Sequence, residues 1–139
     1  MADITITAAS VVPSSGATKI PGTAGATIAA GELVYKDAAD SKYKLADGNS
    51  GTSGVRAVEG IAANSASAGQ PISIITNDPD LAVGTHGVTI GEPLFLSNTP
   101  GKIMPYADIA AGNYTACVAM AKTSTTISFK VHAPNVVHG

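Results

Sequence analysis

Along most of the chain, apolar and polar residues alternate over short runs that Gly, Pro, Asn and Asp interrupt. Alternation with a period of two, in runs rich in β-branched residues, is typical of half-buried β-strands. No segment keeps a 3.6-residue period over a dozen positions, as an amphipathic helix would. The pattern predicts strands at residues 4–7, 32–36, 42–46, 55–62, 71–76, 88–90, 93–96, 103–106, 114–121 and 126–131.

Three stretches between these runs are predicted to be turns or loops. Residues 77–80 read Asn-Asp-Pro-Asp, a turn in which Pro sets φ and the Asx side chains cap their own backbone. They are rich in oxygen ligands but lack the Gly and terminal Glu of a calcium-binding loop. Residues 48–54 have three glycines and no Lys, which indicates a flexible hairpin tip rather than a phosphate-binding loop. Residues 108–114 are predicted to form one helical turn.

One pattern occurs twice. "AGELVYKDAADSKYKL" at residues 30–45 returns sixty positions later as "IGEPLFLSNTPGKIMP" at residues 90–105. Residues 55–75 then parallel residues 114–131, with a shorter turn in the second copy. An isolated hairpin is only marginally stable in water, so we expect both copies to share one apolar interior. Two copies are too few for an open solenoid.

The sequence therefore predicts an all-β fold, a small single-domain barrel or sandwich built from two pseudo-repeated hairpin halves with an extended N-terminal arm. A length of 139 residues fits one domain. The β-domain is predicted over residues 28–133, with repeats at about 28–76 and 88–131. Residues 1–27 form the arm, and residues 134–139 a C-terminal tail.

The arm begins with a strand-like pattern, "DITITAASVV", followed by a stretch rich in Pro, Gly, Ser and Thr. Such a segment can extend from the domain and add to the sheet edge of a partner. Equally, Ile4 and Ile6 can belong to an edge strand of the domain itself. The candidates for contact with a partner are the apolar residues Ile4, Ile6, Val11 and Val12.

Composition narrows the class of function. Only 13% of the residues are charged, against about 25% in an average globular protein. A surface of Ser, Thr, Ala and Gly can lie against another protein at small desolvation cost. A net charge of -2 with scattered Lys and Arg gives no nucleic-acid footprint. We also expect no membrane span and no secretory signal, because long apolar runs and a basic N-terminus are missing from the sequence.

The residues with reactive side chains do not form a recognisable site. His86, His132 and His138 have no metal-ligand spacing and are predicted to lie in a turn or near the C-terminus. Cys117 lies in an apolar run and is expected to be a small buried hydrophobe; a single cysteine cannot form an internal disulfide. "NYT" at residues 113–115 matches a glycosylation acceptor but lacks a secretory context. We predict no catalytic residue, no metal and no cofactor.

Four segments in a fixed order carry a resemblance to a known family. The order of these segments resembles the small head decoration, or capsid cement, proteins of tailed bacteriophages. The resemblance covers about residues 20–131, so partner contacts by the preceding arm are our own inference. The segments are "AGELVY" at residues 30–35, "KYKLAD" at 42–47, "VEGIA" at 58–62 and "AGQPI" at 68–72.

The resemblance implies a non-enzymatic β-rich protein that binds the outside of the expanded head, often as a homotrimer. Its partner would be the major capsid protein, whose neighbouring subunits it bridges; it would be made in the host cytoplasm and end on the outer surface of the virion. Binding several sites at once multiplies modest affinities. Candidate oligomer contacts are Leu94, Leu96, Ile103 and Met104, for which the alternative is the core of the domain.

Two other functions are considered. A phage-surface carbohydrate-binding or adhesion module would need exposed aromatic side chains for stacking on sugars. A small hydrolase or head-maturation enzyme would need a catalytic set, which the spacing does not reveal. The aromatic candidates for sugar stacking are Tyr35, Tyr43, Phe95, Tyr106, Tyr114 and Phe129.

Overall fold

The computed structural model describes residues 3–109 and 114–137, which form a small, nearly all-β domain. In this part of the chain, nine strands make one antiparallel sheet that curls into a half-barrel. The strands are β1 (Thr18–Thr23), β2 (Leu33–Lys36), β3 (Tyr43–Leu45), β4 (Gly60–Ala62), β5 (Pro71–Ala82), β6 (Pro93–Leu96), β7 (Ile103–Pro105), β8 (Tyr114–Ala121) and β9 (Thr126–Val137).

Helical structure in the described residues is limited to single turns. There is a four-residue helix, α1 (Ser53–Arg56), and two 3-10 turns at Ala8–Ser10 and Tyr106–Asp108. Within residues 3–109 and 114–137, no helix has the length and apolar character to cross a membrane.

The strand order confirms the repeat that the sequence predicted. The sheet runs β3-β2-β4-β5 through the first copy and then β9-β8-β6-β7 through the second, so that the copies join where β5 pairs with β9. Each copy contributes a hairpin and two longer-range partners in the same relative order. Two hairpin copies thus supply eight strands of one sheet, and β1 is added at β5.

The two hairpin turns are built alike. In the first, the amide of Asp37 donates to the carbonyl of Lys42 at 2.9 Å; in the second, Ser97 donates to Lys102 at 3.0 Å. The side chains of Asp37 and Ser97 each accept the amide two residues further on, at 2.9 and 3.1 Å. Short polar side chains that bond to the following backbone stabilise such turns, so a carboxylate and a hydroxyl serve the same purpose here.

Strand β5 is the central strand of the domain. At Ile75 it lies between β1 and β4, and at Ala82 between Val12 and β9. The N-terminal segment therefore follows one edge of β5, while β4 and β9 succeed each other along the opposite edge. Strand β1 was not predicted, because Pro21 and Gly22 suggested a loose connection. Pro is tolerated in an edge strand, since it lacks only a hydrogen-bond donor.

The turn predicted at residues 77–80 is wrong, because these residues lie within β5. Asp78 pairs with Phe129 and Leu81 with Ile127, so one extra residue of β5 is accommodated between them as a β-bulge. Pro79 lies in this bulge, where a missing donor is tolerated. The turn-forming residues bend the strand and do not end it.

Other boundaries also differ from the prediction. Residues 4–7 and 88–90 are not strands, and of residues 55–62 only Gly60–Ala62 is a strand, preceded by α1. Strand β9 continues to Val137, past the predicted domain end. The helical turn predicted at residues 108–114 lies partly outside the described residues.

The sheet has apolar residues on both faces. Leu33, Ile61 and Ile75 contribute to the main core, and Val34 packs on the opposite face in a smaller cluster near β1. In the second copy, Leu94, the counterpart of Val34, lies in the main core. The copies share a backbone pattern and bury different faces of it.

Residues 3–12, which we call the strap, connect one end of the sheet to its central strand. The amide of Ile4 donates to Ile103 on β7 at 2.8 Å, and that of Thr7 to Val83 after β5 at 3.1 Å. Val12 then forms an antiparallel bridge with Ala82. The strap thus spans from the last strand of the sheet to its central strand.

Candidate interaction face

The structure places the four predicted arm residues in different surroundings. Ile4 and Val11 are buried in the main core, at 8% and 9% exposure, and Ile6 packs against that core. Val12 is 57% exposed. The first three of these residues pack on the domain itself, although residues 4–7 do not form the edge strand that the sequence left open as the alternative. Ile4 and Val11 are therefore corrected from partner contacts to core residues, because burial makes them inaccessible.

The four candidate oligomer contacts also belong to the interior. Leu94, Leu96 and Ile103 lie in the main core, and Met104 is 1% exposed beside its strand partner Phe95. The alternative, that they form the core of the domain, is observed. The prediction of oligomer contacts at these residues is corrected accordingly, since no partner can reach them in this fold.

Strand β9 divides cleanly into an inner and an outer side. Ile127 and Phe129 are fully buried, whereas Ser128 is partly exposed and Lys130 is exposed. Because successive side chains of a strand point to opposite faces, Thr126, between a turn and Ile127, shares the outer side with Ser128.

Cross-strand pairing extends this outer side into a surface. Partners directly opposite each other lie on the same face of a sheet. One row consists of Val12, Ala82 and Thr126, and a second of Ser128, Met120 and Pro93. Ile90 lies at the margin, next to Gly91, whose amide donates to Ala121 at 2.7 Å. We call the surface made by these seven residues the outer face; they are Val12, Ala82, Ile90, Pro93, Met120, Thr126 and Ser128.

The outer face concentrates the exposed apolar side chains. Val12, Ile90 and Met120 are 57%, 64% and 50% exposed, and among the described residues the fourth large exposed hydrophobic is Tyr106. Tyr106 contacts Phe95, with ring centroids 5.9 Å apart, on the same side of β6 as Pro93. None of the seven residues of the face is charged, and Lys130, on the same outer side of β9, is an exposed charge next to it. An apolar, uncharged sheet face of this kind is typical of protein contact surfaces.

Loop 84–91, which carries Ile90, is fixed by a buried histidine. His86 is 3% exposed, and its Nε2 donates to the carbonyl of Thr123 at 2.5 Å. Its Nδ1 accepts the amide of Val88 at 3.1 Å. These two contacts define the neutral ring with its proton on Nε2. The sequence predicted an unremarkable turn position for His86; the structure shows that the ring joins two segments.

A buried carboxylate fixes the other margin, near Val12. Asp78 is fully buried and accepts hydrogen bonds from the amide of Ser14 at 2.8 Å, from the Ser14 hydroxyl, and from the amide of Asp80 at 3.0 Å. The side chain of Asp80 pairs with Lys122 at 2.5 Å. Both carboxylates of the oxygen-rich stretch thus have structural partners.

The remaining candidates for chemistry are Cys117 and the residues that could ligate a metal ion. Cys117 is half-buried in β8, and this burial raises the pKa of its thiol. In the described residues, no group of three or more His, Cys, Asp and Glu is placed to hold a metal ion. His138 and Asn113 of the "NYT" sequence lie outside the described residues.

The aromatic side chains that the structure describes offer little surface for stacking on a sugar. Tyr43, Phe95 and Phe129 are buried, and Tyr35 is partly buried against the main core. Tyr106 alone among them is more than half exposed. The side chain of Tyr114 lies outside what the structure describes.

A shallow cleft of about 250 Å³ lies between the strap and the turn before β2. It is lined largely by Ile and Ala side chains, and Glu32 and Lys102 form an ion pair of 3.3 Å at its edge. Glu32 also accepts the amide of Ala29 at 2.7 Å. Both charges are therefore engaged in holding the first copy against the second.

No protein-family model matches this chain, and no curated protein matches its sequence.

Proposed function

We propose that this chain is a non-enzymatic decoration, or cement, protein of a tailed-bacteriophage head. In this proposal it binds the outer surface of the expanded capsid and stabilises it by bridging neighbouring major capsid subunits. The chain is made in the host cytoplasm and resides on the virion surface. The observation that carries the proposal is the outer face, where the exposed side chains of Val12 and Met120 lie on one side of the sheet and the exposed Ile90 lies in a neighbouring turn.

The outer face has the composition that such binding requires. Met120 and Ile90 supply apolar area, and Thr126 and Ser128 supply small polar groups. Because no charge has to be desolvated within the face, a partner can cover it at low cost. Burial of apolar area contributes about 25 cal/mol per Å², so a few such side chains give modest affinity for each contact.

Modest affinity suits a protein that acts in many copies. A chain that contacts two capsid subunits gains from effective concentration, and copies joined in a homotrimer gain further. The proposed trimer must use surfaces other than Leu94, Leu96 and Ile103, because these side chains are in the main core. Val12 is exposed and belongs both to the N-terminal residues predicted to contact the capsid and to the outer face.

The buried polar side chains also support a structural role. His86 and Asp78 hold backbone amides and carbonyls at the margins of the outer face. Ser97, which is buried as well, shapes the second hairpin turn and donates to Asp3 of the strap. Groups that elsewhere serve catalysis are used here to hold segments together.

The test is reconstitution on capsids. Purified chain is mixed with expanded heads that lack it and with unexpanded heads as the control, and binding is measured by sedimentation. We expect saturable binding to expanded heads only, with a rise in the temperature at which the heads disrupt. Failure to bind expanded heads, or equal binding to both forms without heat protection, would contradict the proposal.

A further inference from the structure

Loop 84–91 is held to the turn between β8 and β9 by one side chain and one backbone bond, and the residue before the loop adds a second backbone bond. The ring of His86 bonds Thr123 at 2.5 Å, and the His86 amide donates to Ser124 at 3.3 Å. The amide of Val83, just before the loop, donates to Thr125 at 3.0 Å. The ring of His86 thus contributes to holding the loop against residues 123–125, while Gly91, next to Ile90, is held separately by its bond to Ala121 at 2.7 Å.

The ring also determines the shape of the loop itself. Its Nδ1 accepts the amide of Val88, two residues further on, at 3.1 Å. The Val88 side chain packs against the main core, so this bond connects the loop to the interior. The ring can make both contacts only when it is neutral, since Nδ1 must carry a free electron pair.

A second proton on the ring removes the acceptor. Nδ1–H would then face the amide of Val88, donor against donor, and the hydrogen bond would be lost at a ring that is only 3% exposed. Histidine is the side chain that commonly changes its charge between about pH 5 and 8. The contact of His86 with Thr123 survives protonation, because Nε2 donates in both states.

Charged groups lie near the contact between His86 and residues 123–125. On the turn between β8 and β9 the charged residue is Lys122, whose ammonium binds Asp80 at 2.5 Å and the carbonyl of Pro79 at 3.1 Å. His86 is the one titratable residue within loop 84–91, and Glu92 is the first residue after the loop. None of the hydrogen bonds or ion pairs of the described residues joins these charged side chains to the ring.

We propose that protonation of the His86 ring regulates the order of loop 84–91 at the margin of the outer face. At neutral pH the neutral ring fixes the part of loop 84–91 that leads to Ile90. At acidic pH the protonated ring releases Val88, the loop loosens, and the apolar surface at this margin loses its order. The consequence for capsid binding rests on the proposed function, whereas the loosening itself does not.

The physical part is tested on the isolated chain by amide hydrogen exchange, corrected for the intrinsic effect of pH. The reporter is the amide of Val88, and the reference is the amide of Leu33, which bonds Gly101 at 2.9 Å far from the ring. Between about pH 7.5 and pH 5.5, we expect protection at Val88 to fall at least about fivefold relative to Leu33. An unchanged ratio in the wild-type chain overturns the proposal, whatever the variants do.

Two variants assign the effect to this ring. His86→Gln keeps an amide donor and a carbonyl acceptor but does not titrate, so its ratio of protection should not vary with pH. The control is the double variant His132→Gln/His138→Gln, which leaves His86 as the one imidazole and should respond as the wild type does. A persistent response in His86→Gln, or its loss in the double variant, overturns the assignment.

The capsid part is measured separately, by retention of wild-type chain on expanded heads at the same two pH values. We expect retention at acidic pH to be at least about fivefold weaker for the wild type than for His86→Gln. Equal retention of the two at acidic pH contradicts regulation of binding. Absence of binding at any pH contradicts the proposed function and leaves the exchange result standing.

Discussion

Gly31 and Gly91 occupy the same position in two copies of one turn. Their φ angles are 89° and 90°, and their amides donate to the carbonyls of Ala62 and Ala121 at 2.8 and 2.7 Å. A residue with a side chain is strained at such a φ, which explains why both copies have glycine here. The surroundings of the two positions differ. A Cβ atom added at Gly31 would lie 2.4 Å from the side chain of Ile6 in the strap, whereas a Cβ atom added at Gly91 would have no neighbouring atom within 4 Å.

This pair separates backbone strain from contact with the strap. Both Gly31→Ala and Gly91→Ala should lose about 1–2 kcal/mol of unfolding free energy through the positive φ. Gly31→Ala should lose about 1–3 kcal/mol more, because its methyl group displaces Ile6. Urea unfolding of the two variants measures the difference. Equal losses would show that the strap does not pack on Gly31 in solution.

The repeat was predictable from sequence because it is written in local signals. Gly-Glu before an apolar run, a polar turn and a returning Lys mark each hairpin, and such signals depend on few neighbours. The pairing of β5 with β9 and of β6 with β8 was not predicted and is known from the structure. Hairpin strands β2 and β6 were therefore located to within one residue.

The remaining features depend on long-range partners. Asp78 and Pro79 read as a turn because nothing local reveals that β9 and the strap hold this stretch in a strand. Ile4 and Val11 read as an arm because their burial is created by distant segments. The outer face likewise depends on the register of five chain segments, namely the strap, β5, β9, β8 and β6.

The hydrogen bonds from Ser14 to Asp78 should stabilise the base of the strap. Removing the hydroxyl in Ser14→Ala leaves a fully buried carboxylate with one donor fewer, at a cost of about 1–3 kcal/mol. Ser15→Ala is the matched control: this neighbouring side chain is exposed, and its loss should change stability by less than about 0.5 kcal/mol. Similar losses in both variants, measured by urea unfolding, would exclude a structural role for Asp78.

Cys117 should react slowly while the chain is folded. Burial raises the pKa of its thiol, with a smaller opposing effect from its contact with Ala119, so less thiolate is present at neutral pH than in the unfolded chain. By linkage, the fold resists ionisation, and the contribution of this group to stability declines as pH rises above the pKa of an unfolded cysteine. Alkylation should be at least about tenfold faster in denaturant than in buffer at pH 8. Equal rates would place Cys117 on an open surface.

The exposed side chain of Val12 should contribute little to the stability of the fold. Val12→Ala removes a side chain that is 57% exposed, so its effect on unfolding should stay below about 1 kcal/mol. Val11→Ala, one residue earlier, removes a core side chain and should cost about 1–3 kcal/mol. Thermal unfolding of the two variants measures the difference. A larger loss of stability for Val12→Ala than for Val11→Ala would mean that Val12, and not Val11, faces the core in solution.

Binding of Met120→Lys to expanded heads tests the outer face most directly. The change places an ammonium in the middle of the face, where a partner would have to bury it without a counter-charge, at a cost of about 2–5 kcal/mol. Ala68→Lys, on an exposed turn away from the face, adds the same charge as a control. We expect Met120→Lys to bind at least about thirtyfold more weakly than the wild type and Ala68→Lys to bind normally, with all three equally folded. Saturation of heads by Met120→Lys at wild-type concentrations would contradict the assignment of this face to the capsid.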